Sequence, residues 1–311
     1  MMDGPARPRR VVAIVNTAAG SGISKARFME IRQALHGEPF GSAYLTLRRG
    51  HGEEWARTFR NETGYIVFGG DGTLHEIVSG MDIAAQVVAI VPMGTAVSLG
   101  RDLGNPTLAD ACGGIETDHT GHIDLLSVIL RRRDGTARRC RAVASLAVGW
   151  PADVARVAAR WRSDLGALAY PAAAAVLGLN PRRFEASLRV DGGRWSRKAI
   201  TGVLVGNTRH VMTVPLFPDA SPCDGRMEVL ETSAAPGRRI LHGIATAARV
   251  YLRLPLVRAL LHPVPARRLS ILLAAPGAVA VDGESYEGVV RIEVRLLRGG
   301  LRVFLPVGRE P

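Results

Sequence analysis

Three glycine-bearing loops carry the residues best suited to chemistry in this 311-residue chain. Gly69-Gly70-Asp71-Gly72-Thr73 directly follows the apolar run Tyr65–Phe68 and precedes Leu74–Met81, which has helical spacing. A glycine-rich turn from strand to helix lets backbone N–H groups approach a phosphate, and the helix N-terminus adds a favourable dipole. The segment has neither the Gly-Lys-Ser/Thr of a P-loop nor a Gly-x-Gly-x-x-Gly fingerprint. With no lysine in place, the charge of bound phosphates falls to a metal ion and to arginine. Asn16-Thr17-Ala18-Ala19-Gly20-Ser21-Gly22 follows the apolar run 11–15, and Pro92-Met93-Gly94-Thr95 follows a strand expected over 86–91. Loops of this form at the carboxyl ends of parallel strands converge on one crevice, where open α/β sheets bind ligands.

The elements that must position these loops are legible from periodicity. Apolar strands at 11–15, 43–47 and 65–68 alternate with helical patterns at 25–35 and 53–60, and further strands are expected at 86–92 and 122–130. Continuous apolar strands separated by helices indicate a parallel sheet covered on both faces. Near residue 123 the texture changes. Residues 183–207 read as alternating strands joined at Asp191-Gly192-Gly193, a hairpin signal, so the second half is expected to be largely antiparallel. Strands at 268–274, 278–284 and 289–297 end the chain. The expected division is 1–122 and 123–311, the final strand being a candidate to return to the first domain.

Composition narrows the function classes. With 47% hydrophobic and 22% charged residues the chain is neither disordered nor polytopic. The longest apolar stretch, Leu165–Leu179, is too short to span a bilayer. Run 11–15 is too short for a signal peptide core. Cys112, Cys140 and Cys223 form no CxxC pair, so neither a disulfide framework nor a zinc ribbon is supported and the cytoplasm is the expected location. The net charge of +12 is carried almost wholly by arginine, since Lys25 and Lys198 are the only lysines. That charge fits either arginine-rich coding or an anionic partner. Aromatic residues are only 5%, and no RNP, zinc-finger or basic-heptad pattern is present, so nucleic acid is not an expected partner. From 237 to 254, Arg238, His242, Arg249 and Arg253 share one helical face. That face is either solvated or docks on anionic lipid headgroups in peripheral association with a membrane. Asp118, His119, His122 and Asp124 carry metal-capable side chains, but their setting is a turn entering a strand.

Taken in order along nearly the whole chain, VNTAAGSG, GGDGTLHE, PMGTAVSLGRDLG, HIDLLSV, VGW, GALAYPAAAAVLGL, VGNTRHVM, PDASPCDGRMEV and VDGE resemble the diacylglycerol kinase catalytic-domain superfamily, which includes bacterial soluble lipid kinases and sphingosine kinases. The resemblance implies a Rossmann-like α/β nucleotide domain akin to phosphofructokinase and NAD kinase, a C-terminal β-rich sandwich, and an active site in the interdomain cleft. It further implies transfer of the ATP γ-phosphoryl group to a hydroxyl of a diacylglycerol-like or sphingoid membrane lipid, with Mg²⁺. Asn16, Gly20, Thr46, Gly69, Gly70, Gly72, Thr73, His75, Gly94 and Thr95 are the implied nucleotide contacts. Asp71 is the implied acid beside the phosphates and the metal, Asp282 the general base, and Glu284 its neighbour. Ser221, Asp224 and Arg226 match a second cation site built from one carboxylate and backbone carbonyls.

The chain departs from the family pattern at Thr17, His75, Val97 and Ser98, where proline, asparagine and an Asn-Asp pair are usual. Two alternatives stay open: an NAD kinase-like enzyme, and a catalytically inactive protein that binds nucleotide or lipid. Asp71 is expected on an exposed loop, so that Asp71→Asn would spare the fold.

Overall fold

The computed structural model describes residues 10–17, 25–37, 39–59, 64–93, 97–211, 215–232 and 262–310. The chain divides into one unit of Met1–Ile123 with Gly299–Pro311, and another of Asp124–Arg298.

In the first unit β1 (Val11–Asn16), β2 (Phe40–Thr46), β3 (Gly64–Gly69) and β4 (Val87–Pro92) alternate with α1 (Lys25–Ala34), α2 (His51–Thr58) and α3 (Asp71–Gly80). Strand order is β2-β1-β3-β4, every pairing parallel, and Arg302–Val303 of the last strand, β14 (Glu284–Phe304), adds a parallel partner to β4. All of β3 and nearly all of β1 and β4 are buried, because a parallel sheet is packed on both faces and its strands read as unbroken apolar runs. Val15, Ile66, Phe68 and Val91 pack against Ile31 and Leu35 at α1 and against Ala111 and Ile115 of α5 (Leu108–Glu116). On the other face the Tyr65 hydroxyl donates to the Ala56 carbonyl of α2 and accepts from Gln86 Nε2. Burying a side chain such as Ile66 contributes about 1.5–3 kcal/mol. Short α4 (Ser98–Asp102) follows β4, and Thr107 and Asp110 close a reciprocal capping box at the start of α5.

The second unit is mostly antiparallel. β5 (Thr120–Arg132) enters it from the first unit and pairs with β6 (Ala137–Ala142). β7 (Ser145–Gly149), β10 (Gly202–Gly206), β11 (Met227–Thr232), β12 (Val264–Ala266) and β13 (Arg268–Val281) form the order β12-β11-β10-β7-β13. The hairpin β8 (Phe184–Val190) and β9 (Ser196–Ile200) pairs through β8 with β13. Alternation works as strand geometry requires. Leu146, Val148, Val203 and Val205 enter the main core, while Ala147 and Leu204 face a second cluster with Ala152, Phe217 and Ala280.

Two differences from expectation stand out. The three final strands expected at 268–297 are two long ones, β13 and β14, because a register shift between Leu272 and Gly277 lets β13 continue through the break. The stretch 150–179, of which only Leu165–Leu179 was singled out, as an apolar run, folds as the helices α6 (Trp150–Leu165) and α7 (Ala169–Gly178). Among the described residues no helix is long and apolar enough to cross a membrane.

Candidate active site

In the order β2-β1-β3-β4 the chain leaves β1 for β2 on one side and later returns to β3 on the other, so the crevice of this sheet opens at the carboxyl ends of β1 and β3. The loops meet there. Asn16, the last residue of β1, donates from Nδ2 to Thr73 Oγ1 at 2.7 Å. The Thr17 hydroxyl donates to the Thr46 carbonyl at the end of β2, at 2.8 Å. The Met93 N–H reaches back to the Gly69 carbonyl at 2.9 Å, tying the loop after β4 to β3. Gly69 is obligatory, since a Cβ there would lie 2.5 Å from Thr73 Oγ1. Gly70 is the N-cap of α3 and places no side chain over the helix N-terminus. An N-terminus with its first amides uncapped by a side chain suits an anion. Gly20, Gly94 and Thr95 lie outside the described residues, as do Arg238, His242, Arg249 and Arg253.

Asp71 corrects the exposed-loop expectation. It is the first residue of α3 and only 5% exposed, and its carboxylate accepts from the Ser98 N–H at 2.8 Å and the Leu99 N–H at 3.4 Å, at the start of α4. The acid therefore holds the loop after β4 against the GGDGT turn. His75, one turn further along α3, is 2% exposed, and Leu74 and Ile77 of the same helix are equally buried. Thr46 is also buried. Glu76 has a role that its sequence did not disclose. Its carboxylate accepts from the Gly50 and Gly52 N–H groups, at 2.6 and 2.9 Å, and so caps α2.

In the second unit Asp282 and Gly283 are the two central residues of the hairpin between β13 and β14, with Val281 facing Glu284. Both take positive φ, 48° and 86°, as a two-residue turn matched to strand twist demands. The Asp282 carboxylate is 5% exposed and accepts three backbone N–H bonds, from Val143 at 2.8 Å, Ala144 at 2.9 Å and Ser145 at 2.8 Å. Asn207, fully buried on the other side of that segment, donates from Nδ2 to the Val143 and Asp124 carbonyls and from its backbone to the Ala144 carbonyl. Asp282 and Asn207 thus clamp one buried stretch of backbone from its donor and acceptor sides. Glu284, two residues beyond Asp282, is half-buried. The hint for Asn207 was its place in VGN at a strand end, where an amide can pair two carbonyls at once.

Around the segment expected to hold a second cation, the Asp224 carboxylate accepts from the Arg226 and Ser221 N–H groups, at 2.9 and 3.3 Å. Asp124 anchors this loop from beneath: its N–H donates to Pro222 and its carboxylate accepts from Gly225, both at 2.6 Å. Burial, with Asp124 and Asp224 nearby, pushes the Cys223 thiol up to about 11. His119 and His122 engage the carbonyls of Arg309 and Gly299. No cluster of three or more His, Cys, Asp or Glu able to hold a metal occurs among the described residues.

The donors in the first unit fit a nucleoside phosphate, namely the N-terminus of α3 and the amide and hydroxyl of Asn16 and Thr73, while the negative charge of Asp71 suits a hydrated divalent cation.

Residues 10–128 match the model of the diacylglycerol kinase catalytic domain, and residues 144–305 match that of the YegS C-terminal NAD kinase beta sandwich-like domain. A diacylglycerol kinase of Staphylococcus saprophyticus is 26% identical over 308 residues, covering 96% of each chain. An uncharacterized protein of Synechocystis is 23% identical over 251 residues, 78% of this chain, which spans only 54% of that relative's length. Among solved structures, a diacylglycerol kinase from Bacillus anthracis matches with a TM-score of 0.72 at 21% identity, covering 98% of this chain and 99% of that one. Yeast NADH kinase complexed with NADH matches with a TM-score of 0.57 at 13% identity, covering 97% and 84%. With both halves of a two-domain kinase matched in order by the family models, the chain belongs to the diacylglycerol kinase catalytic-domain superfamily and is a kinase.

Proposed function

We propose that this protein is a lipid kinase that transfers the γ-phosphoryl group of ATP to a hydroxyl of a diacylglycerol-like or sphingoid lipid, with Mg²⁺. The observation that carries the proposal is the junction of three loops at the β1–β3 crevice, through Asn16–Thr73, Met93–Gly69 and Thr17–Thr46, beside the N-terminus of a ten-residue helix. Phosphoryl transfer requires positioning, charge neutralisation and a base near the attacking hydroxyl rather than covalent chemistry. Backbone amides at the start of α3, with Asn16 and Thr73, hold the phosphates, and Asp71 fixes the charge balance beside them. Mg²⁺, when bound, would supply positive charge to the phosphates, where this sequence has no P-loop lysine.

For the base we assign Glu284 rather than Asp282. Three amides occupy the Asp282 carboxylate, whose work is to hold the turn and the Val143–Ser145 segment. Glu284 takes the proton from the acceptor hydroxyl. That oxygen attacks the γ-phosphorus as the bond to the β–γ bridging oxygen breaks, and ADP leaves with the bridging oxygen. We assign the loop of Ser221, Asp224 and Arg226 to a structural cation bound through one carboxylate and backbone carbonyls.

The test is incubation of the protein with labelled ATP, Mg²⁺ and a lipid extract, with NAD in a parallel arm. Label in a lipid product supports the proposal. Label in NADP and none in lipid would replace it with the NAD kinase-like alternative.

A further inference from the structure

Four titratable side chains gather at one edge of the second unit's main core. Across the β13–β14 hairpin Val281 faces Glu284 and Val279 faces Tyr286, and residues directly opposite in an antiparallel pair share a face. Val279 and Val281 belong to the main core, with Tyr286 packed against it, so Glu284 and Tyr286 both lie on the core side of β14. On β6, Arg138 and Cys140 stand on the core side as well, opposite the buried Leu130 and Val128 of β5. The two strands meet where Arg138 hydrogen-bonds the Tyr286 hydroxyl, with Cys140 and Glu284 both close enough to act on that hydroxyl. Burial first, and then Cys140, push the hydroxyl well above the usual value of a phenol, Arg138 offsetting them only in part, so at neutral pH it keeps its proton. A hydroxyl that accepts from a guanidinium is polarised by it and becomes a stronger donor in turn. Arg138 and Tyr286 are both half-buried.

The surrounding charge is strongly basic. From 131 to 141 the β5–β6 hairpin contains six arginines against one acid, Asp134. Arg132 reaches the strand of Tyr286 itself, its Nε donating to the Glu287 carbonyl at 3.0 Å. At about 3.3 Å of rise per residue, Glu284 and Tyr286 stand about 6.6 Å apart along β14. A hydroxyl held at Glu284 thus brings the substituent on its neighbouring carbon within reach of the Tyr286 side chain. We propose that Arg138 and Tyr286 select the acceptor by the group beside its reacting hydroxyl: the Tyr286 O–H, backed by the Arg138 guanidinium, donates to an ester or amide oxygen there, and an ammonium in that place is excluded. A guanidinium offers five donors and no acceptor, and it repels a second cation most strongly in a half-buried setting, where charge is poorly screened. Neutral glycerides and N-acylated sphingoid lipids meet the requirement, and free sphingoid bases do not. This selection rests on the lipid-kinase proposal with Glu284 as base; the Arg138–Tyr286 pair is independent of it.

The experiment sets three acceptors side by side in neutral detergent micelles with the full chain: dioctanoylglycerol, N-hexanoylsphingosine, and sphingosine, whose ammonium stands beside the reacting hydroxyl. Equilibrium binding without ATP is measured alongside phosphorylation from labelled ATP with Mg²⁺, so that recognition is read apart from turnover. Wild type is expected to favour both neutral acceptors over sphingosine by at least about tenfold, in binding and in kcat/KM. Tyr286→Phe, which keeps the ring against the core, should raise KM for the neutral acceptors about tenfold and leave KM for ATP unchanged. Arg138→Gln should lose the discrimination against sphingosine by about tenfold, whereas Arg138→Lys, which keeps the charge, should retain it. A merely structural role would not sort these variants by charge. An unchanged thermal midpoint establishes that each variant is folded; should Arg138→Gln not fold, Tyr286→Phe and Arg138→Lys decide. Wild type that prefers sphingosine overturns the proposal. So do a preference unmoved by Arg138→Gln and a neutral-acceptor KM unmoved by Tyr286→Phe. Neutral acceptors bound with the expected selectivity, yet none phosphorylated, sustain the recognition and refute the kinase proposal instead. A chain that neither binds nor phosphorylates any of the three overturns both.

Discussion

Two aspartates in short glycine motifs turn out to be anchored acceptors, and their surroundings separate chemistry from architecture. Asp71 is both a charge at the crevice and the acceptor for two α4 amides. Asp71→Asn is therefore expected to lower kcat by two or more orders of magnitude and also to cost about 1–2 kcal/mol of stability, since a charged acceptor becomes a neutral one. Single-turnover kinetics and urea unfolding measure the two losses separately. Asp282 and Glu284 should part company. Asp282→Asn can keep an oxygen toward the Ala144 and Ser145 N–H groups only by turning its NH₂ toward the Val143 N–H, and is expected to destabilise by about 2–3 kcal/mol. Glu284→Gln, at a half-buried position, should cost less stability than Asp282→Asn and lower kcat by about 10²–10⁴ with ATP binding retained. The opposite pattern would return the base to Asp282.

Among the elements, helix starts are where side chains distant in sequence intervene. Glu76 of α3 caps α2 through Gly50 and Gly52. Glu76→Ala leaves two amides without their carboxylate, and a loss of about 1–2 kcal/mol is expected as a lower urea midpoint at unchanged m-value. A change in kcat with no change in midpoint would show instead that Glu76 serves the reaction. Gly69 shows the same coupling: the glycine is required because Thr73, on the next element, already fills the space of a Cβ. The turn at Asp282-Gly283 falls inside the strand expected over 278–284, yet its local signal was readable, since a two-residue hairpin needs positive φ at both positions. That its carboxylate reaches Val143–Ser145, some 140 positions away, was not.

For the whole molecule, ligand linkage offers a direct check: ATP with Mg²⁺ at about a hundred times its dissociation constant should stabilise wild type by about 2.7 kcal/mol, and Asp71→Asn by clearly less. An unshifted thermal midpoint at saturating ATP would favour an inactive protein that binds lipid and not nucleotide. The sequence alone determined the parallel first sheet, because strands buried on both faces must be continuous apolar runs whatever they pack against. It likewise determined the phosphate-suited loops, since glycines between strand and helix act through local backbone geometry, and the motif order that marks the superfamily. Tertiary structure alone decided the rest. Whether an acid faces solvent or backbone depends on what distant segments bring to it, as Ser98 does for Asp71 and Val143 for Asp282. An alanine-rich run such as α7 has no polar side to betray its period, so only its packing on α6 reveals a helix with one face buried and the other left apolar and exposed.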